Sequence, residues 1–110
     1  MRSLVEAGIP VALASDGRLN PFASMLLATT HPAHPSEALT IEQALRAYTR
    51  DAAFAEHQEN WKGTIAPGRA ADLVVLSHDI RTLPPIDLPN VRALMTIVGG
   101  EIVHESGAAQ

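Results

Sequence analysis

The chain has 110 residues, a formal net charge of −4 and no cysteine. This length supports one small domain with a modest core, and the lack of cysteine excludes disulfides and thiolate metal sites. Without a basic cluster, the phosphate-neutralising surface of a nucleic-acid-binding protein is missing. No apolar stretch approaches the length of a membrane span, and no signal-type segment follows Met1. We therefore expect a globular cytoplasmic protein with no nucleic-acid or membrane partner.

The first residues predict a helix that leads into a strand. Residues 1–8 have the pattern of a helix that ends at Gly8, and the apolar run 11–14 predicts a strand buried on both faces. Asp16 follows this run, at the end of a strand where parallel α/β folds place their chemistry. From spacing alone, Asp16 is either a functional carboxylate or a turn and capping residue.

The next segment predicts a helix followed by an irregular loop. Asn20 is predicted to cap a helix over 21–30. Residues 31–35, which follow this helix, contain two prolines, and these forbid a continuous helix. His31 and His34 therefore lie in a loop rather than on one helical face. This placement favours solvated loop histidines over a pair of metal ligands.

The most regular helical pattern begins at Thr40. Thr40 and Gln43 have the spacing of a capping box, and apolar residues then recur at steps of three and four along one face. Asp51 is predicted to cap a second short helix over 52–55.

The second half predicts strands and turns. Pro67-Gly68 indicates a type II turn, and Asp72 is predicted to fix the entry into a strand through backbone hydrogen bonds. Gly99-Gly100-Glu101 indicates a tight hairpin between two further strands. The three predicted strands cover 73–76, 94–98 and 102–104.

A change in composition near Trp61 indicates a junction between two structural units. We predict a barrel-terminal α/β segment over 1–60, a β-sandwich segment over 61–107 and a tail over 108–110.

Four segments resemble the amidohydrolase superfamily, in order and with matching spacing. Residues 63–76 resemble the superfamily's "G-x-I-x-x-G-x-x-A-D-L-V-V-L" signature, and residues 39–53 resemble the "L-T-x-x-x-A-L-x-x-x-T-x-x-A-A" helices that precede it. Residues 91–103 resemble the last sandwich hairpin, and residues 8–16 resemble the eighth barrel strand with its terminal aspartate. The helix around Tyr48 is most similar to family-3 amidohydrolases, which act on N-acyl and related amides.

The resemblance implies an α/β fold: the carboxyl-terminal part of a TIM-type (β/α)8 barrel, with its last strand and helices, followed by strands of a composite β-sandwich. It also implies that Asp16 is the strand-eight carboxylate, a catalytic metal-site residue that takes and gives a proton during hydrolysis. In such a site a divalent metal, zinc by expectation, lowers the pKa of bound water, and the carboxylate moves the proton to the leaving nitrogen.

The superfamily's other ligands lie on strands that this chain does not contain, and none of its five histidines stands at a matching position. We therefore expect the isolated chain to bind no metal and to be inactive, while the parent enzyme hydrolyses a small amide. The loop after the eighth strand would lie near the substrate mouth, which makes His31 and Asn20 candidate substrate-binding residues.

Two alternatives remain open. Asn20-Pro21-Phe22 soon after Asp16 resembles the cytosine-deaminase-like branch, so the reaction would be deamination of a cyclic amidine. In the other alternative the chain is a non-catalytic α/β module that forms homo-oligomers, because an exposed strand at 11–14 has unpaired edges.

Overall fold

The computed structural model of the protein describes residues 1–14 and 20–107. These residues contain four α-helices: α1 (Arg2–Glu6), α2 (Pro21–Thr30), α3 (Ile41–Tyr48) and α4 (Arg50–Ala55). Two short 3-10 helices cover Pro35–Glu37 and Pro85–Asn90. The three strands are β1 (Leu73–Leu76), β2 (Ala93–Val98) and β3 (Glu101–Glu105). None of the helices in these ranges is long and apolar enough to cross a membrane.

The predicted caps of α2 and α3 are confirmed. The Asn20 side-chain oxygen accepts hydrogen bonds from the backbone N–H groups of Phe22 (3.1 Å) and Ala23 (3.3 Å). Thr40 and Gln43 form the reciprocal capping box, with bonds of 3.0 and 3.1 Å. Both arrangements satisfy amide groups that have no partner inside the helix, which is why these two starts could be located from the sequence.

The predicted cap of α4 is wrong. Thr49 ends α3 and is also the N-cap of α4, without a capping hydrogen bond from its side chain. Asp51 instead lies in the first turn of α4. A carboxylate is favourable there as well, because it faces the positive end of the helix dipole. The sequence preference for acidic residues near a helix start therefore does not distinguish the two positions.

The predicted buried strand at 11–14 is also wrong for this chain. Val11 and Leu13 are partly buried, Ala12 and Ala14 are exposed, and these residues form no strand. The Leu13 N–H donates to the Ala47 carbonyl at 3.1 Å. A strand requires a neighbouring strand for its ladder of hydrogen bonds, and the three strands in the described ranges pair only within their own sheet, as β1 with β2 and β2 with β3.

The three strands form an antiparallel sheet in the order β1-β2-β3. Gly99 and Gly100 connect β2 to β3 with φ angles of 59° and 85°, as a type I′ hairpin turn requires. The Asp72 carboxylate accepts from the Gly99 N–H at 2.9 Å, and the Ala71 carbonyl accepts from the Gly100 N–H at 3.0 Å. Asp72 therefore holds the hairpin turn, 27 residues away, and not the entry into its own strand as predicted.

Both faces of this sheet carry partly exposed apolar side chains. Val74 and Val75 are consecutive in β1 and so point to opposite faces, and they are 51% and 46% exposed. Every residue of β3 is exposed. The described residues therefore cover neither face completely.

The core forms between the helices and the segment that connects β1 to β2. Leu88 is 1% exposed and lies in the 3-10 helix Pro85–Asn90, which packs against α2. Its cluster contains residues from before and after the composition change near Trp61: Met25, Ala28, Leu39, Ala44, Ile80, Leu88 and Val91. The two predicted segments thus share one core, and the division near residue 60 stays a prediction.

Gly63 lies where the chain leaves the helices after α4. Its φ is +95°, and a Cβ placed on it would lie 2.8 Å from the Ala53 Cβ and 2.9 Å from the Thr49 carbonyl oxygen. Real Cβ atoms do not approach backbone so closely, so only glycine fits between this loop and the junction of α3 with α4.

We predict that Gly63→Ala destabilises the chain more than Gly68→Ala. Gly68 also has a positive φ of +82°, but no atom lies within 4 Å of the site of its Cβ. Gly68→Ala should therefore cost only the left-handed backbone penalty of about 1–2 kcal/mol, whereas Gly63→Ala adds about 1–3 kcal/mol of overpacking. Urea unfolding measures both changes, and equal losses would contradict the close packing at Gly63.

Candidate functional site

Asp16, on which the predicted chemistry rests, belongs to residues 15–19 and lies outside the described residues. Its roles as a metal ligand and proton carrier stay predictions. Within residues 1–14 and 20–107, no three His, Asp or Glu side chains come together in a group that could hold a metal ion. The candidate site is therefore built from the side chains beside Ala14, two residues before Asp16 in the sequence.

A depression of about 360 Å³ lies between residues 13–14 and α2. Its walls are mainly apolar and include Leu13, Leu27 and Ala28. Three polar side chains also line it: Ser24, His31 and Tyr48. A mostly apolar depression with a few converging polar groups is the usual form of a small-molecule site, and the volume falls within the usual range for ligand pockets.

His31 reaches this depression from the end of α2. It is the C-cap residue, with φ 45° and ψ 68°, and its N–H donates to the Leu27 carbonyl at 2.7 Å. This left-handed conformation is uncommon for a residue other than glycine, although histidine adopts it more often than most. The prolines at 32 and 35 prevent α2 from continuing, so the chain turns at His31.

The loop favours one tautomer of the neutral His31 ring. The backbone N–H of His34 donates both to the His31 carbonyl at 3.0 Å and to Nδ1 of the His31 ring at 3.2 Å, and the centres of the two rings are 5.9 Å apart. A neutral imidazole has one donor nitrogen and one acceptor nitrogen. Because Nδ1 accepts from the backbone, the proton of neutral His31 lies on Nε2. In its neutral form His31 thus presents one N–H donor.

The described side chains that line the depression carry no formal charge with His31 neutral. The backbone of Met1 contributes the amino terminus, which is paired with the Glu37 carboxylate. That contact, with further hydrogen bonds from the Ser3 N–H and hydroxyl, lowers the pKa of Glu37 to about 2. Glu37 therefore remains ionised beside the amino group at neutral pH.

Asn20 is the second predicted substrate-binding residue, and both of its polar side-chain atoms have structural partners. Its oxygen caps α2, and its nitrogen donates to the Pro89 carbonyl at 3.1 Å. Asn20 thus joins α2 to the 3-10 helix that carries Leu88. Contact between Asn20 and a substrate stays a prediction.

A larger depression of about 590 Å³ lies between α3, α4 and β1. Two exposed ion pairs border it: Lys62 with Glu56 (3.0 Å) and Arg81 with Asp79 (3.2 Å). Hydrogen bonds from Arg81 lower the pKa of Asp79. None of residues 11–14 or 20–40 lines this depression, so the smaller one is the better candidate for chemistry that involves Asp16.

His31 is predictable from the sequence as a site residue, whereas Ser24 and the site role of Tyr48 are not. Tyr48 belongs to the apolar face of α3, and Ser24 follows the pattern of an ordinary helix residue. Because the helix periodicity explains both positions, it gives no sign of a binding role. Only the packing of α2 and α3 around residues 13–14 brings these two hydroxyl groups to one depression.

We expect the two contacts of Asn20 to be separable by mutation. Asn20→Ser keeps a capping oxygen but loses the bond to Pro89, whereas Asn20→Ala loses both. Loss of the cap costs about 1 kcal/mol, and loss of the second bond about another 1 kcal/mol. Thermal or urea unfolding should therefore rank the wild type above Asn20→Ser and Asn20→Ala lowest. Equal stability of the two variants would contradict the capping role.

Comparison with known proteins identifies the chain's relatives. The amidohydrolase family model matches residues 1–104. An N-substituted formamide deformylase from Arthrobacter pascens is 34% identical over 114 residues, which cover 96% of this chain and 21% of the relative. An imidazolonepropionase from Kosmotoga olearia is 37% identical over 112 residues, which cover 96% of this chain and 26% of the relative. The chain thus spans about a quarter of these relatives' length.

The fold has a counterpart among solved structures. An amidohydrolase from Thermotoga maritima superposes with a TM-score of 0.71 over 94% of this chain and 25% of that one, at 24% sequence identity. At this identity the likeness concerns the fold alone. The superposition covers 94% of this chain, so it includes both the helices and the sheet.

Proposed function

Because this chain belongs to the amidohydrolase family, we propose that it forms the carboxyl-terminal part of an enzyme that hydrolyses an N-acyl or related non-peptide amide. The single observation that carries the proposal is the family match over residues 1–104. Its relatives are hydrolases that act on carbon–nitrogen bonds. The name of the Arthrobacter relative suggests N-substituted formamides as the first substrates to test.

In this proposal Asp16 is the proton carrier. Water adds to the amide carbonyl carbon, the carboxylate takes a proton from that water, and it gives the proton to the nitrogen as the C–N bond breaks. A carboxylate suits both steps because it accepts a proton as the nucleophile forms and donates it as the amine departs. The products are a carboxylate and an amine.

The family also implies a divalent metal, zinc by our proposal, with Asp16 among its ligands. When bound, such an ion activates water for attack on the amide. The described residues do not form a donor set for it, and a catalytic zinc generally takes three protein ligands. The remaining ligands would come from barrel strands 1–7, either joined to this chain or supplied separately. We therefore expect the 110 residues alone to be inactive.

We predict that Asp16→Asn abolishes turnover in the enzyme that includes barrel strands 1–7. Asparagine has nearly the same shape but cannot carry the proton, so kcat should fall by about 10²–10⁴-fold with N-(3-methylbutyl)formamide as substrate. Thermal unfolding should change little.

The matched control is Asp87→Asn, which makes the same change at an exposed residue of the 3-10 helix Pro85–Asn90. Its activity should equal that of the wild type. Normal turnover by Asp16→Asn would remove Asp16 from the mechanism. Release of ammonia from a cyclic amidine, without hydrolysis of formamides, would instead move the enzyme to the deaminase branch.

A second candidate function is association through the sheet, which the half-exposed Val74 and Val75 favour. Apolar surface on both faces of an open sheet tends to bind another surface. We expect sedimentation velocity of the isolated chain to show concentration-dependent association, reduced by Val75→Lys. A monomer at all concentrations would exclude this function.

A further inference from the structure

We propose that the depression between residues 13–14 and α2 binds an uncharged, apolar substituent on the substrate nitrogen, and that His31 selects against a carboxylate on that substituent. This inference rests on the proposed amidohydrolase function and specifies its substrate class. It distinguishes neutral N-alkyl amides from N-acyl amino acids, which have the same reacting bond but carry an anionic group beside it.

The walls of the depression carry the first part of the argument. Leu13, Leu27 and Ala28 supply apolar surface, and its volume of about 360 Å³ is large enough for a branched alkyl group. Burial of such a group against these side chains is favourable because it removes apolar surface from water. Ala14 also lines the depression, so it adjoins the segment that leads in sequence to Asp16.

The charge of the side chains that line the depression is the second reason for the proposal. The described side chains lining the depression include neither lysine nor arginine. The Met1 amino group, which also borders the depression, is already paired with the Glu37 carboxylate. A carboxylate placed among these side chains would therefore lose its hydration without gaining a free counter-charge, which is costly. An uncharged substituent has no such penalty, so the walls favour the neutral substrate.

The geometry of His31 carries the third part. Its Nδ1 accepts the His34 N–H at 3.2 Å, so in the neutral ring this nitrogen is occupied and Nε2 is the one donor. A neutral donor can bind an uncharged oxygen acceptor of the substrate. It gives a carboxylate much less stabilisation than a cation would, because charge-assisted hydrogen bonds are roughly twice as strong as neutral ones.

The kinetic test uses two substrates that differ only by the carboxylate: N-(3-methylbutyl)formamide and N-formyl-leucine. In the enzyme that includes barrel strands 1–7, we expect kcat/KM to favour the neutral formamide at least about 10-fold. His31→Arg adds a cation at the depression and should reduce this preference by about 10-fold. His104→Arg makes the same change at an exposed residue of β3 that does not line the depression, and should leave the ratio within about threefold.

Arg18 provides a further variant, because it is the only lysine or arginine between Pro10 and Pro35 and lies outside the described residues. Equal or better use of N-formyl-leucine by the wild type would overturn the inference, and loss of that use in Arg18→Gln would identify the cation responsible. An unchanged substrate ratio in His31→Arg, or equal changes in His31→Arg and His104→Arg, would also overturn it.

The outcomes separate this inference from the proposed function. Asp16-dependent hydrolysis of both formamides without the expected preference keeps the function and rejects the substrate class. No Asp16-dependent hydrolysis of any amide rejects both. A readout without turnover is also available: ¹⁵N NMR of the 110-residue chain above neutral pH should show the His31 proton on Nε2. A proton on Nδ1 would reject the fixed tautomer and the role assigned to His31.

Discussion

The burial of Leu88 against α2 is the contact on which the rest of the structure depends. The chain leaves the helices at Gly63, forms β1, and returns through the 3-10 helix Pro85–Asn90 before it enters β2. Leu88 is 1% exposed at this return, and the Asn20 bond to Pro89 fixes the same segment to the start of α2. The connection is thus tied to the helical layer at two consecutive residues, Leu88 and Pro89. These two contacts, rather than packing on its faces, position the sheet, because the described residues cover those faces incompletely.

The same contact orients the candidate site. α2 starts at a residue bound to the connection and ends at His31, which lines the depression beside Ala14. A shift of the connection would therefore move the start of α2, and the helix would carry that shift to His31. The core cluster and the site thus share α2, a helix of ten residues.

Sequence alone located the elements whose causes are local. The capping box at Thr40 depends on residues within a few positions, and the hairpin at Gly99-Gly100 is indicated by two consecutive glycines that adopt positive φ; both elements are present as predicted. Residues 11–14 show the opposite case, because a strand exists only where another strand pairs with it. Their apolar pattern fits the complete barrel that we propose for the parent enzyme, and the described residues supply no partner strand for it.

The candidate site was only partly predictable for a related reason. His31 was identified because a resemblance placed its loop after the eighth strand, but its tautomer depends on the backbone N–H of His34, which no residue pattern reveals. Asp72 shows the same difficulty, because its partner is the N–H of Gly99, 27 residues away. Neither contact follows from the local residue pattern.

Recognition and reaction are supplied by different parts of the proposed enzyme. The described residues provide shape, apolar surface and one neutral donor, all held by packing within this chain. The proposed reacting groups are Asp16 and ligands on strands that these residues do not include. A carboxylate at Asp16 can move a proton only where water and an amide meet beside it, and that meeting requires the complete barrel. Changes at His31 should therefore act on which amide is bound, whereas changes at Asp16 should act on whether any amide is cleaved.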